Sequence, residues 1–524
     1  TTYGNGDNGQ YAYVNGSGSG TEGFGWIWGP RLDVPDPNTA SGFVERPQYN
    51  SPIDPVTGQR IPIPFISRGK DNIRNFFQKG LISSNNVNIT SGNDQGNFRL
   101  SASHIYQRGL VPNTDLNNTS FTVAGGYKLS DKLSTDASLT YNRQYTENFP
   151  ETPYGPENYL YNLVLWTGVD VDVRDLRDYW VTGREGFQQK HFNNSYYNNP
   201  YFQAYEYLRG YHKDNTFGQV KLDYQANDDL KFTLRTGMNV YALDRTDKEP
   251  KSYVKYGRVS RGNFYIYNSA QINMNTDFIV SYKKQIGQNF AINANAGGSN
   301  RFIRFRSESL NTDGLAIPNF YNVANSEQPL KGANRLSREQ INSVFGTVDF
   351  EFMNAIFLTV TGRNDWVSTL PVNNNSFFYP SVTLAGTVSD LITMPKAVDF
   401  VKLRAGWSQV SDGRINTDPY SHIQAYSPGI NWGGNPSLVF PSALINPNVK
   451  PETSDSFEFG MDTRFFGGKL GLDLTYFQIR DFNKLISVPV SQSSGFTSRL
   501  ENGAEFTRKG WELMLNTNPI SKTD

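Results

Sequence analysis

The sequence contains no cysteine. Disulfides, thiolate metal sites and cysteine nucleophiles are therefore excluded. It also lacks net charge, because 49 Lys+Arg offset 49 Asp+Glu. That argues against a basic nucleic-acid surface as its main theme and against an acidic, self-repelling disordered chain. Charged residues are 19% of the chain, fewer than in an average soluble domain. No run approaches about 18 consecutive apolar residues, so no transmembrane helix is expected. Residues 1–20 have neither a basic n-region nor an apolar h-region, and no signal peptide is visible. A helix-like 3.6-residue periodicity of convincing length is missing as well.

Aromatics are abundant, with 30 Tyr and 35 Phe among the 524 residues, and a two-residue periodicity recurs. Leu230, Phe232, Leu234, Met238 and Val240 alternate with Lys231, Thr233, Arg235, Gly237 and Asn239. Val401, Leu403, Ala405 and Trp407 alternate with Lys402, Arg404, Gly406 and Ser408, and Phe457, Phe459, Met461 and Phe465 with Glu458, Gly460, Asp462 and Arg464. Such alternation reads as strands with one apolar and one polar face. About fifteen strands are expected, near 84–92, 96–107, 118–128, 132–146, 213–225, 229–246, 264–284, 289–308, 339–353, 355–364, 376–390, 398–411, 453–466, 469–481 and 500–518. Short turns at 129–131, 226–228, 286–288 and 466–468 join strand pairs. Long stretches rich in Asn, Gly, Pro, Tyr and Ser lie at 147–212, 247–262, 309–338, 366–375, 412–452 and 482–499. Short turns at one end and long loops at the other are the layout of an outer-membrane β-barrel, and low charge with plentiful Tyr, Phe and Gly suits it. Bacterial single-chain barrels use even strand numbers, and an open edge is costly in lipid. Fifteen strands thus lead to the expectation that the chain is part of a longer one.

Several segments resemble the SusC/RagA family of TonB-dependent outer-membrane transporters: Trp28-Gly29-Pro30-Arg31-Leu32-Asp33 (with Val34 where the family usually has Gly), Asn86-Val87-Asn88-Ile89 with Gly92, Phe98-Arg99-Leu100-Ser101, and Gly109-Leu110-Val111-Pro112-Asn113. Further along come Gly362-Arg363-Asn364-Asp365-Trp366-Val367-Ser368-Thr369-Leu370-Pro371, Val401-Lys402-Leu403-Arg404-Ala405, Asn446-Pro447-Asn448-Val449-Lys450-Pro451-Glu452-Thr453, and Lys509-Gly510-Trp511-Glu512-Leu513. The resemblance implies an all-β fold, a transmembrane antiparallel β-barrel of 22 strands with long extracellular loops. This chain would supply about fifteen of the strands, and the plug domain would lie outside it. Residues 1–83 would form the first extracellular loop region and the approach to the barrel, and 84–524 the barrel segment, incomplete at its C-terminus. It implies TonB-dependent import of oligosaccharides or oligopeptides across the bacterial outer membrane, a SusD-like surface lipoprotein as a lid, energy from the TonB–ExbB–ExbD complex, contact with outer-membrane lipid and lipopolysaccharide, and association compatible with a dimer of SusC–SusD pairs. No nucleic-acid partner, cofactor or catalytic role is implied. Two other classes stay open on sequence: a structural or docking barrel in a secretion or surface assembly, and a secreted β-rich carbohydrate-binding protein.

Candidate sites are sparse. Lys231, Arg235, Lys402, Arg404, Glu458 and Asp462 fall on polar faces and are expected to line the lumen. Trp166, Trp180 and Trp432 sit in long loops, where they could stack on cargo or hold their own loops together. Arg363 and Asp365, at a strand end, could meet cargo or pair with each other. Asp170, Asp172, Asp175 and Asp178 cluster with Arg174 and Arg177. The EF-hand offsets fail there, so local ion pairs are expected. The histidines His104, His191, His212 and His422 stand apart, without the spacing of a zinc site. Glu452 and Glu458 are expected to hydrogen-bond in the lumen rather than act as a glycosidase pair. The glycine run at 16–20 reads as a flexible loop.

Overall fold

The computed structural model describes residues 2–11, 26–152, 154–192, 196–255, 258–413, 419–430, 432–433 and 435–518. The glycine run at 16–20 lies outside them. Fifteen long strands form one antiparallel sheet in chain order: β1 (Leu81–Gly92), β2 (Gly96–Arg108), β3 (Asp115–Lys128), β4 (Leu133–Thr146), β5 (Leu208–Gln225), β6 (Leu230–Lys255), β7 (Arg258–Ile286), β8 (Phe290–Leu315), β9 (Ser326–Phe352), β10 (Ile356–Val367), β11 (Ser376–Thr387), β12 (Val398–Asp412), β13 (Glu452–Phe465), β14 (Leu470–Pro489) and β15 (Ser498–Thr517). A two-residue strand, Ala443–Leu444, adds a parallel pairing to Ser498 and Arg499. The sheet does not close on itself among the described residues: β1 stands at one edge, and β15 has no partner strand beyond that short pairing.

The expected alternation sets which face is which. Register aligns Leu222, Leu234 and Phe278 in one row across β5, β6 and β7. It aligns Leu384, Ala405, Phe459, Tyr476 and Trp511 in another across β11 to β15. Leu222, Leu234, Phe278, Leu384, Phe459 and Trp511 are exposed, Phe459 by 47% and Trp511 by 68%, and Ala405 and Tyr476 are half-buried. A continuous apolar surface on one face of an antiparallel sheet, with charges on the other, is what a lipid-facing barrel wall requires.

The turns at one rim are tight. At 466–468, Phe466, Gly467 and Gly468 all take positive φ, a run only feasible with glycine at most of its positions. The opposite rim carries the long connections. Three expected loops prove shorter than the sequence suggested. Residues 247–255 belong to β6 and 258–262 to β7. Much of 309–338 belongs to β8 and β9, and 482–489 extends β14. The reason is length: β7 has 29 residues, or roughly 95 Å of strand, whereas about 10 residues cross a bilayer. The excess extends beyond the bilayer, where some residues, such as Tyr253, Val254 and Phe264, are buried, so its composition looks like loop while its backbone pairs as strand.

Residues 26–80 and 147–207 fold together at this rim into a body with its own core. Tyr49, Phe65, Phe76, Tyr159, Leu163, Val171, Val173, Leu176, Phe192 and Tyr201 are buried in one cluster. Its helices are short, Asn72–Phe76 and Pro200–Glu206 being the longest α-helical pieces described. Asn and Gln side chains take over from regular secondary structure. Asn199 accepts from the backbone N–H of Tyr201 (2.8 Å) and Phe202 (3.3 Å), and donates to the carbonyls of Leu176 and Lys190 (2.8 Å each). Asn72 donates to Val171 O (2.8 Å) and accepts from Val173 N–H (2.9 Å). Buried backbone groups in a loop need such partners.

Candidate functional site

The polar face of the sheet is organised around aspartates that collect donors from neighbouring strands. Asp277 on β7 receives Arg235 Nη2 (2.6 Å) from β6, Ser299 Oγ (2.8 Å) from β8 and Asn275 Nδ2 (2.9 Å). Asp365 on β10 receives Arg363 Nε (2.8 Å) and Tyr379 Oη (2.7 Å), while Arg363 also donates to Ser343 Oγ (2.7 Å). Arg404 on β12 reaches past β13 to Asp473 Oδ1 (2.9 Å) on β14. It can do so because residue 460 is glycine: a Cβ there would lie 2.4 Å from Arg404 Nε. Lys231 stands 3.9 Å from Asp223 Oδ1, and Lys221 binds Asp223 and Asp136 at 3.0 Å each. Strand register puts Lys231, Arg235, Arg363, Asp365, Lys402, Arg404, Glu458 and Asp462 on the same face. Lys402, Glu458 and Asp462 form no ion pair among the described residues, whereas Glu452 binds Lys484 Nζ at 2.7 Å. Neutralised hubs interspersed with a few free charges make a hydrated wall without a strong field of one sign.

The loop tryptophans differ. Trp166 packs within the rim body, stacked on Tyr197 (5.6 Å) and edge-on to Trp26 (5.6 Å). Trp180 meets Phe202 edge-on at 5.2 Å. Trp432 is 85% exposed. In the acidic segment Asp172 pairs with Arg174 (2.6 Å), but Asp175 pairs with Arg68 (2.8 Å) from a distant part of the chain. Arg177 instead lies 3.4 Å from Tyr201 Oη. Arg174 beside Asp172 holds that carboxyl below its ordinary value. Asp170 is buried and has no cationic partner among the described residues. Burial raises its carboxyl to about 6 although Asn5 N–H donates to it at 3.0 Å. The described residues contain no group of three or more His, Asp or Glu able to hold a metal ion.

Two of the segments that carried the family resemblance, 362–371 and 446–453, act as fasteners. Val367, Leu370 and Val449 form a small buried cluster at the rim. Thr369 Oγ1 donates to Gly413 O (2.7 Å), Asn374 Nδ2 to Asn448 O (3.0 Å), and Lys450 N–H to Asn502 Oδ1 (2.8 Å). They tie the long connections down to the strand ends.

A family profile described as TonB dependent receptor-like, beta-barrel, matches residues 166–519. The chain belongs to this family. It is an outer-membrane β-barrel protein of the TonB-dependent receptor class. Among curated relatives, it is 30% identical over 262 residues to TonB-dependent receptor P26 of Formosa agariphila, covering 48% of this chain and 26% of that protein. It is 21% identical over 322 residues to TonB-dependent receptor SusC of Bacteroides thetaiotaomicron, covering 59% of this chain and 31% of that protein. The fold matches a chain of the RagAB peptide transporter with a TM-score of 0.71 at 15% identity, covering 86% of this chain and 51% of that one. A ferric enterobactin receptor of Pseudomonas aeruginosa aligns over 84% of this chain with a TM-score of 0.51. The chain thus spans about half of the RagAB chain it matches. In this TonB-dependent receptor barrel the rim with the long connections is the extracellular one.

Proposed function

We propose that this chain forms wall and extracellular rim of a TonB-dependent importer that carries oligosaccharides or oligopeptides across the bacterial outer membrane. The observation that carries the reading is the inside-out sheet, with exposed apolar rows such as Leu384, Phe459 and Trp511 on one face and hydrogen-bonded charges on the other. The same surface weighs against a secreted soluble protein, which rarely exposes apolar patches of this extent. A wide barrel has to be plugged to avoid a leak, and the outer membrane has no ATP supply. Energy from TonB–ExbB–ExbD and a SusD-like lipoprotein over the rim body complete the reading, supported by the SusC and RagAB relatives. In it, residues 1–83 and the 147–207 connection form the docking rim, and 84–524 the barrel segment. Lys231, Arg235, Lys402, Arg404, Glu458 and Asp462 line the path, with Arg363 and Asp365 bracing its upper wall. Trp432, being exposed, is the loop tryptophan best suited to touch cargo, and Trp166 and Trp180 stiffen the rim. No catalytic step is assigned to any residue. Deletion of the gene should abolish growth on one polymer while leaving growth on its monomers unchanged. Undiminished uptake of every polymer tested would overturn the reading.

A further inference from the structure

At the extracellular rim a hairpin spanning residues 179–190 folds against the segment 49–60. Backbone bonds close it: Lys190 N–H to Tyr179 O (2.7 Å) and Val181 N–H to Gln188 O (3.0 Å). Between hairpin and segment lies a cavity of about 570 Å³. Its lining includes Arg60, Arg184, Lys190 and His191, and contains no aspartate or glutamate. Three cationic side chains thus line the cavity, while the carboxylates of the same two segments, Asp54 and Glu185, are not among its lining residues.

The cations are held in two ways. Arg60 Nη1 donates to the carbonyls of Tyr49 and Ser51 at 3.0 Å each, which fixes the guanidinium at the cavity wall. Arg184 Nη1 donates to Gln188 Oε1 at 2.7 Å. Neither Arg184 nor Lys190 forms an ion pair among the described residues. By contrast Arg68 and Arg174, elsewhere in the same rim body, and Arg209, at the start of β5, each pair with a carboxylate.

His191 closes one side of the cavity. It borders the cavity and is 5% exposed, and neither Nδ1 nor Nε2 has a hydrogen-bond partner. Burial keeps its ring neutral, with the pKa pulled down to about 3. A neutral imidazole still carries one N–H, and a buried donor left without an acceptor is costly. An oxyanion in the cavity would meet the guanidinium and ammonium groups in charge-assisted hydrogen bonds.

We propose that this pocket binds an anionic oxygen group, a carboxylate or a sulfate, carried by an oligomeric ligand arriving at the rim. It rests on the import reading only for what the ligand is doing there, because binding is measured on the purified protein without transport. The test is calorimetric titration of the full-length protein in detergent with four probes: a tetragalacturonate, a sulfated galactose tetrasaccharide, a tetraglutamate peptide and a neutral galactose tetrasaccharide. The first and third carry carboxylates and the second sulfate, so their ranking separates the sources. The expected result is binding of at least one anionic probe about tenfold tighter than the neutral one, with the preference lost in an R184Q/K190Q double variant. Arg184 is exposed and Lys190 half-buried, so neither substitution removes core. Equal affinity for all four probes, absence of binding, or a preference that survives R184Q/K190Q would overturn the proposal. A second measurement needs no variant: inorganic sulfate should weaken the anionic probe and leave the neutral one unaffected, and no competition would also count against it. Failure here would leave the growth phenotype of the deletion untouched, so the two readings fail separately.

Discussion

The rim body and the sheet are built from similar residues with opposite geometry. In the rim body Phe202 is completely buried, in contact with Trp180 and Tyr179. In the sheet Phe459 points outward and is half exposed. The rim body satisfies its backbone with Asn and Gln side chains, whereas the sheet satisfies it strand by strand. The difference follows from the solvent each meets. Water forces apolar groups inward, and lipid removes that force while making every unpaired backbone group expensive. Apolar residues can therefore turn outward in the sheet, provided the ladder is complete.

Four substitutions would break or sharpen that contrast. The largest effect is expected at Phe202→Ala, which leaves a cavity in the rim body and should cost about 3–5 kcal/mol. Hydrogen exchange should rise across 147–207 while strand protection stays as in wild type; a uniform rise would mean that the two regions unfold as one unit. Next, Phe459→Arg puts a charge on the lipid face at a loss of roughly 2–4 kcal/mol near the bilayer midplane, read from denaturant unfolding in lipid vesicles. Tolerance within a few tenths would mean that this face does not meet lipid.

Third comes Asp170→Asn. The Asp170 carboxyl is raised by burial from 3.8 to about 6. A raised carboxyl favours the folded state when protonated, so its contribution is full below about pH 4 and is lost as pH climbs to about 6. The variant should therefore stabilise the rim body at pH 8, by roughly 3 kcal/mol at most, and change nothing near pH 4. Gain at both pH values would show that charge is not the cause. The smallest effect belongs to Gly460→Ala, whose added Cβ would strike Arg404 and disturb its bond to Asp473, for about 1–3 kcal/mol. In an Arg404→Ala background the same substitution should be close to neutral in thermal melting. A loss that persists there would place the strain in the backbone.

Much of the sheet was legible because the side-chain period of a strand is two and this chain repeats it. All fifteen expected strands are present, most within a few residues of their expected ends. Errors gathered where strands leave the membrane, at 247–262 and 309–338, because the pattern that marks a strand is the contrast between an apolar and a polar face, and that contrast is not kept beyond the bilayer. The lumen-side candidates could be picked as polar-face residues. Their partners could not, since Arg404 and Asp473 are 69 residues apart and meet only through register. The rim pocket had no sequence signature at all: Arg60 and Arg184 come from segments brought together by the fold, and His191 read as one isolated histidine among four.

By itself the sequence pointed to the class of the protein, since alternation with short turns and long loops has the layout of a membrane barrel and the ordered motifs resemble one family of them. The tertiary structure alone decided which charges neutralise one another and which stay free, where Trp166 and Trp180 turn inward, and that three cations line one cavity bordered by a partnerless imidazole. The physical reason is range. Local periodicity fixes the direction in which a side chain points, but hydrogen bonds and ion pairs form between atoms a few ångströms apart, and that proximity is created by strand register and loop packing across hundreds of residues.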